Sequence, residues 1–207
     1  MNVLARIISY VFHPLLMGTY LFALMALLLP AALYPINASS QFLFVGVFFM
    51  MSFALPVIML SMMKAFGSIR SLTMENRQER IFPFFMILAL YATFTFMFTY
   101  QDKIVPEHNL FKFMLIIDAL VLVSLLITFF YKVSVHAIGI AGLAGILLPL
   151  NQQSDNELLL WVTIGVVVLA GVVMSARLQL NAHTPRQVLV GALVGLLIGF
   201  FGVILQF

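Results

Sequence analysis

Seven apolar runs constrain this chain more than any other feature of its sequence. As an α-helix, a run of about 18 or more apolar residues can cross roughly 30 Å of hydrocarbon. The runs cover 8–31, 41–63, 82–100, 110–131, 134–150, 158–176 and 187–206. Because the fifth run is short, the pattern predicts seven transmembrane helices, with six as the alternative.

The composition excludes a water-soluble domain. Hydrophobic residues make up 64% of the 207 residues and charged residues only 8%, and the mean hydropathy is +1.16. A soluble domain needs more polar surface than these residues can supply. We therefore predict one all-α domain over 1–207, a polytopic transmembrane helix bundle. No cleavable signal peptide is recognisable, so the first helix is expected to remain.

Several kinds of site are excluded or disfavoured by residue type. The chain has no cysteine, so disulfides, thiolate metal sites and cysteine nucleophiles are excluded. No arginine-rich tract or aromatic-interleaved basic face indicates a nucleic-acid partner. Zinc is the rival use of clustered histidines, but no HExxH motif or suitably spaced carboxylate accompanies them. No metal or other cofactor is predicted.

Cations and histidines are concentrated on one side of the predicted bundle. Alternate loops lie on the same face, so the N-terminal side holds most of the cations and three of the four histidines. These residues are Arg6, Lys64, Arg70, Arg77, Arg80, Lys132, Arg177, Arg186, His13, His136 and His183, with Lys103 and Lys112 opposite. Topology alone explains clustered cations, but not three histidines. Arginines with a histidine pair suit metal-free phosphoryl transfer.

Three further features of the apolar runs have two interpretations each. His13 is either an interfacial histidine or a functional group. Asp118, well inside the fourth run, is either functional or hydrogen-bonded to a neighbouring helix. The glycines at 191, 195 and 199 repeat every four residues, a spacing that favours close helix packing over a functional role.

Over about residues 64–200 the chain resembles the superfamily of type-2 phosphatidic acid phosphatases and vanadium haloperoxidases. That family carries three sequence blocks on one membrane face: K-x6-R-P, P-S-G-H and S-R-x5-H-x3-D. The third block is the best matched here, by Arg177 and His183 at the family's spacing. Ala176 stands in place of its serine and Gln187 in place of its aspartate.

The other two blocks are matched in part. Ser134 and His136 match the second block, where valines replace the proline and the glycine. In the first block, Arg80 is the counterpart of the arginine, while Thr73 stands at the lysine position and Pro83 comes two residues late. The match therefore depends on order, spacing and sidedness.

The resemblance implies a phosphohistidine mechanism on a membrane lipid phosphate, such as a polyprenyl or glycerolipid phosphate. His183 would attack phosphorus and His136 would protonate the leaving alkoxide. Arg80 and Arg177 would hold the phosphoryl oxygens. The remaining roles it implies are phosphate binding by Arg77, in place of the lysine, and by Ser134, with His13 and Lys132 as accessory residues. It also implies a location in the bacterial inner membrane.

Gln187 leaves the function open, because it can accept the aspartate's hydrogen bond but carries no charge. The first hypothesis is a lipid phosphatase or phosphotransferase. The second is a catalytically impaired relative that binds or transports an anionic lipid. The third is a proton-coupled transporter that uses Asp118 and His13. The membrane face of the site and the oligomeric state also stay open.

Overall fold

The computed structural model describes residues 2–72, 74, 76–100 and 108–206. Over these residues the chain is helical and contains no strand. Six helical segments are long and apolar enough to cross a membrane, and a seventh, Val135–Leu150, is shorter. The predicted all-α transmembrane bundle is confirmed, and the protein is an integral membrane protein.

The α-helices of the described residues follow the apolar runs. They are α1 Asn2–Val11, α2 Met17–Leu28, α3 Gln41–Phe49, α4 Leu55–Ala65, α5 Ile81–Tyr100, α6 Asn109–Thr128, α7 Val135–Leu150, α8 Glu157–Gln179 and α9 Pro185–Gln206. The first two runs are each divided between two helices, α1 with α2 and α3 with α4. Each of the other five runs forms one helix.

The first run is interrupted at Pro14. The helix begins at Asn2, earlier than the apolar run suggested, so the proline lies in the middle of the span instead of near its start. Proline has no N–H and clashes with the preceding turn. The chain therefore leaves α1 at Val11, forms the 3₁₀ turn Pro14–Leu16, and continues as α2.

The second run contains a π-helical turn, Met50–Ala54, between α3 and α4. Its cause is Pro56, because proline supplies no N–H to the carbonyl of Ser52 four residues earlier. The hydroxyl of Tyr91 on α5 donates to that carbonyl at 3.2 Å. The hydroxyls of Ser52 and Thr19 are 3.1 Å apart, which ties α2 to the same turn.

Glycines bring α7 and α9 into close contact. A Cβ atom on Gly195 would lie 2.2 Å from the carbonyl oxygen of Ile138, and one on Gly199 would lie 2.4 Å from that of Gly142. Only glycine fits at such distances, so the predicted packing role is confirmed. The contact also brings together the N-terminal end of α7, which carries His136, and that of α9, which carries Gln187.

Candidate active site

One cavity of about 830 Å³ lies within the bundle. At the end formed by the termini of α1, α5, α7, α8 and α9 it is lined by polar side chains: Arg6, Ser9, His13, Arg80, Lys132, His136, Arg177 and His183. Farther along the helices its walls are apolar, with Leu21, Phe53, Ile117 and Leu143 among them. No Asp or Glu is found among the described lining residues, so this polar end attracts anions.

The turn between α8 and α9 explains the spacing of Arg177 and His183. Asn181 adopts a left-handed conformation, with φ of 51°. The N–H of Ala182 donates to the carbonyl of Arg177 at 3.2 Å. This is the Schellman arrangement that ends a helix, and asparagine is one of the residues that tolerate it. Arg177 therefore occupies the last turn of α8, while His183 directly precedes the cap of α9.

Gln187 takes part in a capping box at the start of α9. The N–H of Gln187 donates to Thr184 Oγ1 at 3.4 Å, and the N–H of Thr184 donates to Gln187 Oε1 at 3.2 Å. A Thr followed three residues later by Gln, with Pro185 at the first helical position, is the sequence signal for such a start. From the sequence this glutamine is recognised only as a substitute for aspartate.

The same Gln187 oxygen determines the tautomer of His183. The Nδ1 atom of His183 lies 3.0 Å from Gln187 Oε1. Because a backbone N–H can only donate, the Thr184 contact identifies this amide atom as the oxygen. Nδ1 must therefore carry the imidazole proton and donate it to Oε1. The lone pair of the neutral ring is then on Nε2, the nitrogen that can act as a nucleophile.

His183 is buried, with 8% of its surface exposed. Burial lowers the pKa of His183 from 6.5 to about 4, because a charged ring is poorly solvated there. The hydrogen bond with Gln187 raises this pKa, and the positive charges of Arg80, Arg177 and Lys132 lower it. At neutral pH the imidazole is uncharged, as a nucleophile requires.

Arg177 points an unsatisfied donor into this region. Its Nη1 donates to the hydroxyl of Ser9 at 3.2 Å. Its Nε is buried and has no hydrogen-bond partner, the one such side-chain atom in the described part of the chain. A buried N–H without a partner is costly. A phosphate oxygen is a ligand that would satisfy it.

Arg80 is held by two backbone carbonyls. Its Nε donates to Met74 O at 2.7 Å, and its Nη1 donates to Val133 O at 3.3 Å. The side chain is buried, with 6% exposed. A guanidinium has more N–H groups than these two contacts use. Arg80 is therefore fixed at the cavity with donors to spare.

Two further histidines line the same cavity. The ring centroids of His13 and His136 are 5.5 Å apart. His136 Nε2 lies 3.1 Å from the carbonyl of Ser9, and since a carbonyl only accepts, Nε2 carries the proton. His13 Nδ1 accepts from the N–H of Leu15 at 3.4 Å. Ser9 is not recognisable from the sequence, because a single serine in an apolar helix gives no signal.

Ser134 and Arg77 lie outside the cavity lining. Ser134 is fully buried and caps α7, its hydroxyl accepting from the N–H of Ala137 at 3.4 Å. Its own N–H donates to the carbonyl of Gln187 at 3.2 Å. Arg77 Nη1 donates to the carbonyl of Phe129. The proposed lysine counterpart, Thr73, falls outside the described residues.

Asp118 also lies apart from the cavity lining. Its carboxyl group is hydrogen-bonded to the side chain of Thr95 on α5, in agreement with the expectation that Asp118 bonds a neighbouring helix. Across the described ranges, no group of three or more His, Asp or Glu side chains could hold a metal ion.

The comparison with protein families gives a match to the PAP2 superfamily over residues 81–207. This range is more than half of the chain, and it contains the second and third sequence blocks. It begins one residue after Arg80, so α1 to α4 and the proposed counterpart of the first block's arginine lie outside it. Comparisons with curated proteins and with solved structures give no match. The resemblance is thus confirmed, and the chain belongs to the PAP2 superfamily.

Proposed function

We propose that the protein is a lipid-phosphate phosphatase or phosphotransferase that forms a phosphohistidine at His183. Membership in the PAP2 superfamily indicates phosphatase activity on phosphate esters. One observation carries the finer proposal: a single cavity combines cations and imidazoles at one end with apolar walls along the rest. A phosphate group fits the polar end and a hydrocarbon tail fits the apolar part.

In the first step, His183 Nε2 attacks phosphorus and the bond from phosphorus to the ester oxygen breaks. The hydrogen bond from His183 Nδ1–H to Gln187 Oε1 is kept, and it holds the ring in orientation as the ring becomes positively charged. His136 gives a proton to the leaving alkoxide, so a neutral alcohol departs. Since Nε2 of His136 keeps its own proton on the Ser9 carbonyl, the proton that is delivered is a second one, on Nδ1, which the ring takes from the monoanionic phosphate ester as that ester binds.

In the second step, water attacks phosphorus, the bond from phosphorus to Nε2 breaks, and His136 accepts the proton from water. Inorganic phosphate takes this proton from His136 as it leaves, so both imidazoles return to their neutral starting forms. A lipid or sugar alcohol in place of water gives the phosphotransferase reaction. The proposal requires no metal and no other cofactor.

Arg80 and Arg177 bind the phosphoryl oxygens in both steps. The unpartnered Nε of Arg177 supports this role, as does the fixed guanidinium of Arg80. Charge-assisted hydrogen bonds of this kind stabilise the negative charge on the transferring group. Lys132 and Arg6 add positive charge to the lining without being assigned a direct contact.

The alternative is a catalytically impaired member that binds or transports an anionic lipid. Gln187 favours it, because an uncharged acceptor stabilises the imidazolium less than a carboxylate does. A proton-coupled transporter has less support, since Asp118 is bonded to Thr95 and does not line the cavity. A bacterial inner membrane is the location that the lipid-phosphatase proposal includes.

Phosphate release from a panel of polyprenyl and glycerolipid phosphates tests the proposal. We expect release by the purified protein and a loss of roughly 1,000-fold in His183→Ala. His108→Ala is the matched control, because His108 packs on Tyr34 away from the cavity. Equal release by His183→Ala would contradict the proposal. No release by any variant, with lipid binding that weakens in Arg177→Ala, would favour the impaired member.

A further inference from the structure

Ser9 contacts two residues of the proposed site from a helix outside the family match. Its hydroxyl accepts from Arg177 Nη1 at 3.2 Å, and its carbonyl accepts from His136 Nε2 at 3.1 Å. Ser9 is itself buried, with 6% exposed. The proposed proton donor and one of the proposed phosphate-binding arginines are thus held by a single residue of α1.

The end of α1 explains why the carbonyl of Ser9 is available. Helix α1 stops at Val11, so the carbonyls from Ser9 to Val11 lack the N–H groups that a continuing helix would supply. The break itself comes from Pro14. Two of these carbonyls accept from side chains instead. The carbonyl of Ser9 accepts from His136, and that of Val11 accepts from the hydroxyl of Tyr20 at 2.7 Å.

The partial charge at the end of α1 favours the cationic groups that contact it. The C-terminal end of a helix carries a partial negative charge, which favours cations placed within its last turn. Arg177 is a permanent cation, and His136 becomes one each time it holds the proton to be delivered. Arg6, the charged side chain of α1 that lines the cavity, lies three residues before Ser9 and therefore on the same face of the helix.

We propose that Ser9 is a positioning residue of the active site, which orients Arg177 for the phosphate and His136 for proton delivery. The inference rests on the proposed function and extends it to a part of the chain that the family match does not include. Its hydroxyl affects substrate binding through Arg177, while its carbonyl affects the chemical step through His136. The two effects are separable, because substitution of the side chain leaves the carbonyl in place.

Ser9→Ala and Ser9→Thr test the hydroxyl. Loss of a hydrogen bond to a charged group is expected to raise KM for a lipid phosphate by about 10-fold in Ser9→Ala, with kcat changed by less than about 3-fold. Ser9→Thr keeps a hydroxyl and should return KM toward the parent value. Thr19→Ala is the matched control, since Thr19 is a buried hydroxyl in the same span that bonds Ser52 and does not line the cavity.

Pro14→Ala tests the carbonyl. Without the proline, α1 can continue through position 14, and the N–H of His13 then competes with His136 for the carbonyl of Ser9. We expect kcat to fall about 10-fold with a smaller change in KM. Unchanged kcat in a variant that remains folded and monodisperse would overturn this part of the inference.

Lipid binding separates failure of this inference from failure of the proposed function. A purified protein that releases no phosphate still binds a lipid phosphate in the impaired-member alternative, and Ser9→Ala must then weaken that binding by about 10-fold. Equal binding by the parent and Ser9→Ala, or equal weakening in Thr19→Ala, would overturn the role of Ser9 whichever function holds.

Discussion

The amide oxygen of Gln187 lies 3.0 Å from Nδ1 of His183 and 3.2 Å from the N–H of Thr184. One atom therefore caps α9 and orients the imidazole that we propose as the nucleophile. The resemblance places Gln187 at the position of the superfamily's aspartate, and Gln187 makes a hydrogen bond to the imidazole without carrying a charge. This relationship gives the clearest test of how much the charge contributes.

Gln187→Glu adds the missing charge with little change in shape. The carboxylate can keep both hydrogen bonds, because Glu serves at this position of a capping box as well as Gln does. It would also stabilise the positive ring that forms during attack. We expect kcat to rise by about 10-fold or more in phosphate-release assays. An unchanged or lower kcat in a folded variant would show that the charge is not what this site lacks.

The protonation state of His183 is directly measurable. Burial lowers the pKa of His183 to about 4, and the contact with Gln187 requires the proton of the neutral ring on Nδ1. Nitrogen-15 NMR of labelled histidines in micelles should therefore show the Nδ1–H tautomer, titrating near pH 4. A midpoint near 6.5, or the Nε2–H tautomer, would contradict the site described here.

The same pKa predicts a pH dependence of stability. The folded protein holds His183 with a lower pKa than the unfolded chain, so the unfolded state binds its proton more readily. The contribution of His183 to stability is present above about pH 6.5 and is lost as the pH falls toward 4. His183→Gln should reduce this dependence, as measured by thermal unfolding across that range. An identical pH dependence in parent and variant would be inconsistent with the assigned pKa.

Arg177 should contribute strongly to phosphate binding, because we propose that its guanidinium contacts the phosphate directly. In Arg177→Ala we expect lipid-phosphate binding to weaken by roughly 100-fold, because charge-assisted hydrogen bonds are lost. Arg177→Lys should recover only part of this binding, since an ammonium cannot make the forked contact. Arg186→Ala, an exposed arginine outside the cavity lining, is the control and should change binding by less than about 2-fold. Equal losses in the two alanine variants would indicate nonspecific charge attraction.

Gly195 should be essential to the packing that supports the site. Alanine there would place a methyl group 2.2 Å from the carbonyl oxygen of Ile138, which forces α7 and α9 apart. We expect a loss of about 1–3 kcal/mol in the free energy of unfolding. Gly165→Ala on α8, where a methyl group meets nothing within 4 Å, should be near neutral. Comparable stability of the two variants would contradict the close packing of α7 on α9.

The features that sequence predicted well are those determined by local pattern. Apolar runs set the helices because the bilayer requires about 20 apolar residues per span. The spacing of Arg177 and His183 was recognisable because a fixed turn connects α8 to α9. The four-residue glycine spacing indicated close packing because such residues share one helix face.

The features that sequence did not predict depend on tertiary contacts. The contribution of Ser9 arises from a carbonyl at a broken helix end, and any residue type has that carbonyl. The cap formed by Ser134 depends on the non-helical start of α7 next to α9. The break at Pro14 was missed because the apolar run begins after Arg6, whereas the helix itself begins at Asn2.

The stereochemical course at phosphorus tests the central claim most directly. A lipid thiophosphate made chiral by two different oxygen isotopes on phosphorus can be hydrolysed by the purified protein in water that carries the third isotope, and the configuration of the released thiophosphate determined. Attack by His183 followed by attack by water comprises two in-line displacements, so we predict net retention, with release abolished in His183→Ala. Net inversion would show direct attack by water and would contradict a phosphohistidine intermediate.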